Sequence, residues 1–228
     1  MIANVSALVT ELKARAEAGR PVTIGLAGAG QMGTDIIVQL SLMPGLVLGA
    51  VSEIDAPRAI AAALLAGHAR ENIVVARSLS DIDGAIAGGK LAITDDLAKL
   101  TASGRIDVVI DATGNPNTGT TLALDAIRNG KHVVMLNVEA DITIGRHLKA
   151  EAQSAGVVYT GAMGDEPACA IELIGFAQSL GLKIVCAGKG KNNPLKFDAV
   201  PKEYEAEARA RNMNARMLVE FVDGSKTM

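Results

Sequence analysis

Gly28, Gly30 and Gly33 stand in the pattern GxGxxG, as Gly28-Ala29-Gly30-Gln31-Met32-Gly33, directly after the apolar run 22–26 and directly before a helical pattern that starts at Gln31. Each glycine has its own use in such a turn. The first permits a tight reversal, the second lets backbone approach a pyrophosphate, and the third lets helix and strand pack closely. Gln31 and Met32 then open a helix whose free N–H groups and positive dipole end favour phosphate. A second apolar run, 46–51, leads into Ser52-Glu53-Ile54-Asp55, and Glu53 falls 20 residues after Gly33, about where an acidic side chain binds ribose hydroxyls. A carboxylate there favours NAD, because it repels a 2′-phosphate. Arg58 could pair with that phosphate if Glu53 turned away; otherwise it is a solvated residue on the first turn of a helix.

A third group of polar residues falls at the ends of later apolar runs. Asp111-Ala112-Thr113-Gly114-Asn115-Pro116 closes one run in a turn of small residues. In an open parallel sheet this edge passes the nicotinamide half of a cofactor. Thr113 and Gly114 permit close approach there, and Asn115 could bond a ribose or carboxamide, although Asn-Pro also makes a plain turn. Asn137, Glu139 and Asp141 follow the run 133–136, Asp165 and Glu166 follow 159–163, and Lys189, Lys191, Asn192 and Asn193 follow 183–187. Reducing a carbonyl requires a cation or acid near the developing alkoxide, a task suited to lysine. The loop GKGKNNP would also supply donors to a phosphorylated substrate. The ordinary alternatives are acidic residues favouring a helix start and lysines in a solvated loop.

Other chemistries lack their residues. His68, His132 and His147 have no metal-ligand spacing; His132 is expected to precede a strand and the other two to lie on helix surfaces. There is no GxSxG, P-loop or HExxH. Cys169 and Cys186 form no CxxC and read as small core residues.

The elements that must position these groups alternate. Short apolar runs at 22–26, 46–51, 91–94, 108–110, 133–136 and 157–159 are separated by helical patterns at 31–42, 57–65, 95–100, 118–129 and 145–155, the signature of a parallel sheet with crossover helices. The segment 68–90 reads as an inserted helix with a short strand near 73–76. After Gly161 the rhythm changes to a helix at 166–180, a strand at 183–187 and a charged helical stretch at 201–212. The expected fold is α/β: a Rossmann-type doubly wound parallel sheet over 1–160, with an N-terminal amphipathic helix, followed over 161–228 by the start of a second α/β substrate domain. Val219, Phe221 and Val222 are expected to need cover from a second copy or a following segment. The stop after FVDGSKTM leads to the expectation that the sequence is the front part of a longer protein.

Composition supports this class. Hydrophobic residues make up 49% and aromatics 2% of 228 residues, so the core must be built from Ala, Val, Ile and Leu, which suits a buried parallel sheet. A net charge of −3 without a basic run argues against nucleic acid. No apolar run reaches the ~18 residues of a membrane span, and the first 20 residues lack the apolar stretch of a secretory signal. A cytoplasmic protein is expected, with a small-molecule substrate and further copies of itself as partners.

The blocks GAGQMG, VIDATGNPNTG, HVVMLNVEADITIG, YTGAMGDEP, GKGKNNP and FVDGSKT together resemble a family related to homoserine dehydrogenase, whose members often carry a C-terminal SAF domain. Its best-known function is that of the deoxyxylulose phosphate reductoisomerase-like enzymes of isoprenoid precursor synthesis. The resemblance spans roughly 15–228. It implies NADPH despite Glu53, a small phosphorylated sugar as substrate, and reduction of an aldehyde made by skeletal rearrangement, and it leaves room for a divalent metal. Homoserine dehydrogenase itself ends a strand in an Asn-Lys pair, where Leu136-Asn137-Val138 keeps the asparagine and replaces the lysine. The resemblance therefore assigns Asn137 to the cofactor. It leaves Lys189, Lys191 or Lys226 as proton donor, with Glu139 and Asp165 as further catalytic candidates. Asp223-Gly224-Ser225-Lys226 is the nearest counterpart of that family's Asp followed by a catalytic Lys. The alternatives are a homoserine or polyol dehydrogenase, and a dinucleotide-binding module without catalysis.

Overall fold

Val22–Ala27 (β1) is apolar because both of its faces are covered, and it forms the middle of a parallel sheet. The computed structural model describes residues 5–164, 166–188, 195–211 and 213–225. Among these, Val5–Glu17 (α1) precedes β1, and Gln31–Ser41 (α2), Leu46–Ser52 (β2) and Ala56–Leu65 (α3) follow it. The inserted segment folds as Ile73–Val75 (β3) and Leu79–Ala87 (α4). Then come Leu91–Thr94 (β4), Leu97–Ala102 (α5), Val108–Asp111 (β5), Pro116–Arg128 (α6), His132–Met135 (β6), Val138–Ala155 (α7), Tyr159–Gly161 (β7) and Glu166–Ser179 (α8). The seven strands are parallel throughout, in the order β3-β4-β2-β1-β5-β6-β7.

That order decides which helix covers which face. The steps β1 to β2 and β2 to β3 run toward one edge, and every later step runs toward the other. Crossovers are right-handed, so the two sets of helices must lie on opposite faces. The core divides accordingly. Ile37 and Leu40 of α2 and Ala59, Ala62 and Ala63 of α3 pack with Ile24, Leu26 and Val51. Ile82 of α4, Leu100 of α5, Leu122 of α6 and Leu148 of α7 pack with Ala27, Ala50 and Val109. The register of β1 on β2 slips between Ile24 and Gly25, leaving Gly49 as the extra residue of a bulge. A Cβ on Gly49 would come within 2.6 Å of Thr23 Cγ2.

Helix boundaries follow local chemistry. Ser78 and Asp81 form a capping box at the start of α4, and Asp96 caps α5 through the N–H groups of Ala98 and Lys99. Both α5 and α7 start away from the expected positions: α5 at Leu97 because Asp96 caps it, α7 at Val138 because Asn137 caps it. Gly156 ends α7 at φ 73°, a left-handed cap.

Three expectations are corrected. Residues 182–188 form no strand, since an apolar run becomes one only where a neighbour offers a ladder, and the sheet's last strand among the described residues is β7. Cys169 and Cys186 are exposed rather than core, because both lie beyond that last strand. His68 lies in the turn after α3, half-buried, and burial pushes its pKa down.

The chain divides into two compact units, 1–176 and 177–228. Within the second, a 3-10 turn at Pro201–Tyr204, Glu205–Ala210 (α9) and Ala215–Val222 (α10) are the regular elements of 180–225 among the described residues. Val219 and Val222 are buried by the chain's own α9 and 201–204 turn, and Lys196 N–H donates to the Val222 carbonyl at 2.7 Å, so that stretch has local cover.

Candidate functional site

Chain connections reverse direction beside β1, so its carboxyl end and that of β5 open a crevice, the position where open α/β sheets bind ligands. Two turns border it: residues 28–33 after β1 and 112–115 after β5. They are in contact. Gly28 has φ 91°, and a Cβ there would lie 2.7 Å from the Ala112 carbonyl oxygen. Gly28 N–H donates to Ser52 O, and Ala112 N–H to Ala27 O, both at 2.8 Å.

The three glycines divide by what surrounds them. A Cβ on Gly33 would overlap the Gly28 carbonyl, so Gly33 is required by the turn itself. A Cβ on Gly30 would meet nothing within 4 Å. Gly30 therefore borders open space at the start of α2, where no side chain caps the helix and no acidic residue occupies the first turn. Gln31 and Met32 are exposed there. This cradle fits a pyrophosphate: free space, backbone approach, and the positive end of an 11-residue helix.

Glu53, at the end of β2, is 8% exposed. One carboxylate oxygen accepts Ala29 N–H at 2.8 Å and the other accepts Asp55 N–H at 3.1 Å. The acid thus holds the glycine turn against β2 while keeping lone pairs for a ribose. Arg58 is engaged with Asp55 at 3.8 Å, on the first turn of α3.

On the β5 side lies a buried network that the sequence reading missed. Asp111, wholly buried, accepts the N–H and hydroxyl of Thr113 at 2.9 and 2.7 Å on one oxygen. Its other oxygen accepts Asn137 Nδ2 at 3.1 Å. Burial pushes the Asp111 pKa up, and these hydrogen bonds oppose the shift. Asn137, 1% exposed, also donates to the Asn115 carbonyl at 2.8 Å and accepts Ala140 N–H at 3.2 Å as the cap of α7. Its amide is used internally, so it positions the 113–115 turn rather than facing the crevice. Asn115 is exposed; its Oδ1 caps α6 through Thr118 N–H at 3.0 Å. Gly114 has φ 66°. The signal available in sequence was an aspartate and an asparagine, each closing one of two adjacent strands.

Glu139 lies in the first turn of α7, and its carbonyl accepts the Thr143 hydroxyl. Asp141, two residues on, accepts the Tyr159 hydroxyl at 2.7 Å. Burial first, then Asp141, pushes the tyrosine pKa up. Asp165, Lys189, Lys191 and Lys226 lie outside the described residues. Among the described residues no group of three His, Cys, Asp or Glu is placed to hold a metal ion, and no helix is long and apolar enough to cross a membrane.

Residues 28–160 match the family described as "Homoserine dehydrogenase, NAD binding domain", and residues 164–228 match "Oxidoreductase DRL, catalytic domain". The chain is 31% identical over 118 residues to the homoserine dehydrogenase of Methylobacillus glycogenes, covering 52% of this chain and 25% of that one. It is 36% identical over 70 residues to the homoserine dehydrogenase of Pseudomonas aeruginosa, covering 31% and 16%. The chain thus spans a quarter or less of the length of these relatives. Among solved structures, an oxidoreductase from Agrobacterium radiobacter in complex with NAD+, L-tartaric acid and magnesium shares the fold, with a TM-score of 0.52 and 15% identity over 70% of this chain and 40% of that one.

Proposed function

The chain belongs to the family of homoserine dehydrogenase NAD-binding domains, and from that premise we propose that it is the cofactor-binding part, with the start of a substrate domain over 161–228, of an NADPH-dependent oxidoreductase acting on a small phosphorylated sugar. The observation that carries the dinucleotide reading is the contrast within the glycine turn: Gly28 and Gly33 are locked by contacts within the protein, and Gly30 alone borders empty space.

When bound, a nicotinamide dinucleotide supplies or accepts a hydride. The residues of this chain bind and orient it. The turn at Gly30, with Gln31 and Met32, receives the pyrophosphate, and Glu53 takes the adenosine ribose. Thr113, Gly114 and Asn115 border the nicotinamide half, held from beneath by Asp111 and Asn137. The substrate reading rests on the match of residues 164–228 and on Lys189 and Lys191, whose ammonium groups suit a phosphate or a developing alkoxide. Glu139, Asp165 and Lys226 remain candidates for proton transfer at that substrate.

Isothermal titration with NADH and NADPH tests the binding half. Turnover assays with deoxyxylulose phosphate and with homoserine test the substrate half. Oxidation of homoserine alone, with NAD+ or NADP+ as hydride acceptor, would move the assignment to a homoserine dehydrogenase-like enzyme, the reading favoured by the match over 28–160.

A further inference from the structure

A second opening lies on the other side of Glu53, at the carboxyl ends of β2, β4 and the inserted β3. It is a cleft of about 140 Å³ whose lining includes Ile54, Arg77, Thr94 and Asp95. The crevice at β1 and β5 fixes where a pyrophosphate sits. Glu53 fixes the direction in which the adenosine runs, away from β5 and toward β2 and β4. The next residue, Ile54, already belongs to the cleft, so the cleft borders the ribose side of the adenosine.

Arg77 is the cation of this lining, and it comes from the turn between the inserted strand and α4. Its guanidinium makes no hydrogen bond or ion pair among the described residues. The nearby acid, Asp81, is committed to the cap of α4: one of its oxygens accepts the backbone N–H groups of Arg77 and Ser78 at 3.0 and 2.9 Å. That cap fixes the backbone of Arg77, while its guanidinium lies in the field of Asp81 without forming an ion pair with it. Asp95, the acid on the same rim, sits in the field of the Lys99 ammonium. Arg58, the other arginine near the ribose, is paired with Asp55. Glu53 is buried, and its carboxylate is met by two backbone N–H groups, so its charge toward the cleft is partly compensated.

We propose that Arg77 is the specificity-determining residue for the cofactor, binding the phosphate on the 2′ position of the adenosine ribose and so selecting NADPH in spite of Glu53. This rests on the dinucleotide reading given above. The chemistry required is a planar guanidinium on a rigid mount, which suits bidentate contact with a phosphate.

The test is titration of the 228-residue chain and its R77Q and R58Q variants with NADPH, NADH and adenosine 2′,5′-bisphosphate. Far-ultraviolet circular dichroism checks the fold, which R77Q should preserve because the backbone of Arg77, not its side chain, takes part in the α4 cap. R77Q is expected to weaken NADPH and the bisphosphate by about tenfold or more, as for loss of a charge-assisted pair, with NADH unchanged. Equal losses for NADH and NADPH, no loss for either, or a selective loss in R58Q instead would overturn the proposal and leave the dinucleotide reading standing. Binding of neither dinucleotide by the unsubstituted chain would overturn both.

Discussion

The carboxylate of Glu53 accepts the backbone N–H of Ala29 at 2.8 Å, which ties the end of β2 to the middle of the glycine turn. An acid at this position is ordinarily read as a contact for the ribose. Here it also holds the glycine turn that we propose receives the pyrophosphate, so its removal should act on two parts of the proposed cofactor site together.

E53Q keeps the shape but turns one acceptor into a donor, which loses either the Ala29 or the Asp55 bond. A hydrogen bond to a charged group contributes about 1.5–3 kcal/mol to stability, so the fold should weaken by about that amount, and NADH affinity should fall as the turn loosens and the ribose loses its carboxylate. NADPH should fall less, because the lost negative charge no longer opposes the 2′-phosphate. Fluorescence titration of both cofactors checks this; an unchanged ratio would assign Glu53 to the turn alone.

Gly30 and Gly33 should separate binding from folding. G30V places its side chain in open space, so thermal unfolding should stay near that of the parent while dinucleotide binding is lost. G33A drives a Cβ into the Gly28 carbonyl and should destabilise the fold itself. Retained NADPH affinity in G30V would remove the pyrophosphate from this turn.

N137L would leave Asp111 without one donor, Asn115 O without another, and Ala140 N–H uncapped. Buried unsatisfied groups cost about 1–3 kcal/mol each and a lost cap about 1. Chemical denaturation should therefore show a loss of about 3 kcal/mol. A loss below about 1 kcal/mol would mean that the network contributes little beyond a single cap.

Asp96 makes the acid limb of stability testable. The Lys99 ammonium at 2.8 Å, followed by the backbone N–H groups at the start of α5, holds its carboxyl below the ordinary value of 3.8. Its contribution is present above that value and is lost as pH falls through the depressed one. D96A should cost about 1 kcal/mol at neutral pH. D96N should keep the cap and flatten the acid limb in denaturation curves taken between about pH 2 and 5. An unchanged limb in D96N would place the acid sensitivity elsewhere.

The glycine turn and Glu53 were legible in the sequence because a tight turn and the strand after it are local, and their spacing is set by one helix. Asp111 and Asn137 were not, since they are 26 residues apart and meet only because the register of β5 on β6 brings their carboxyl ends level. The bulge at Gly49 hides inside a continuous apolar run, where nothing marks an unpaired residue. The run 183–187 misled for the converse reason: four small or apolar residues after Lys183 say nothing about whether a neighbouring strand exists. Cys169 and Cys186 were misplaced by the same logic.

The inserted segment has a consequence for the sheet as a template. With β3 added, both outermost strands among the described residues, Ile73–Val75 and Tyr159–Gly161, are three residues long. The longest strands, β1 and β2, are enclosed in the interior. Unpaired backbone at an edge invites strand addition by another chain, and a short edge offers few bonds to such a visitor. Among the described residues, the inserted strand and β7 thus act as a matched pair of stoppers at the two edges of a Val-rich sheet, leaving little backbone for edge-to-edge aggregation.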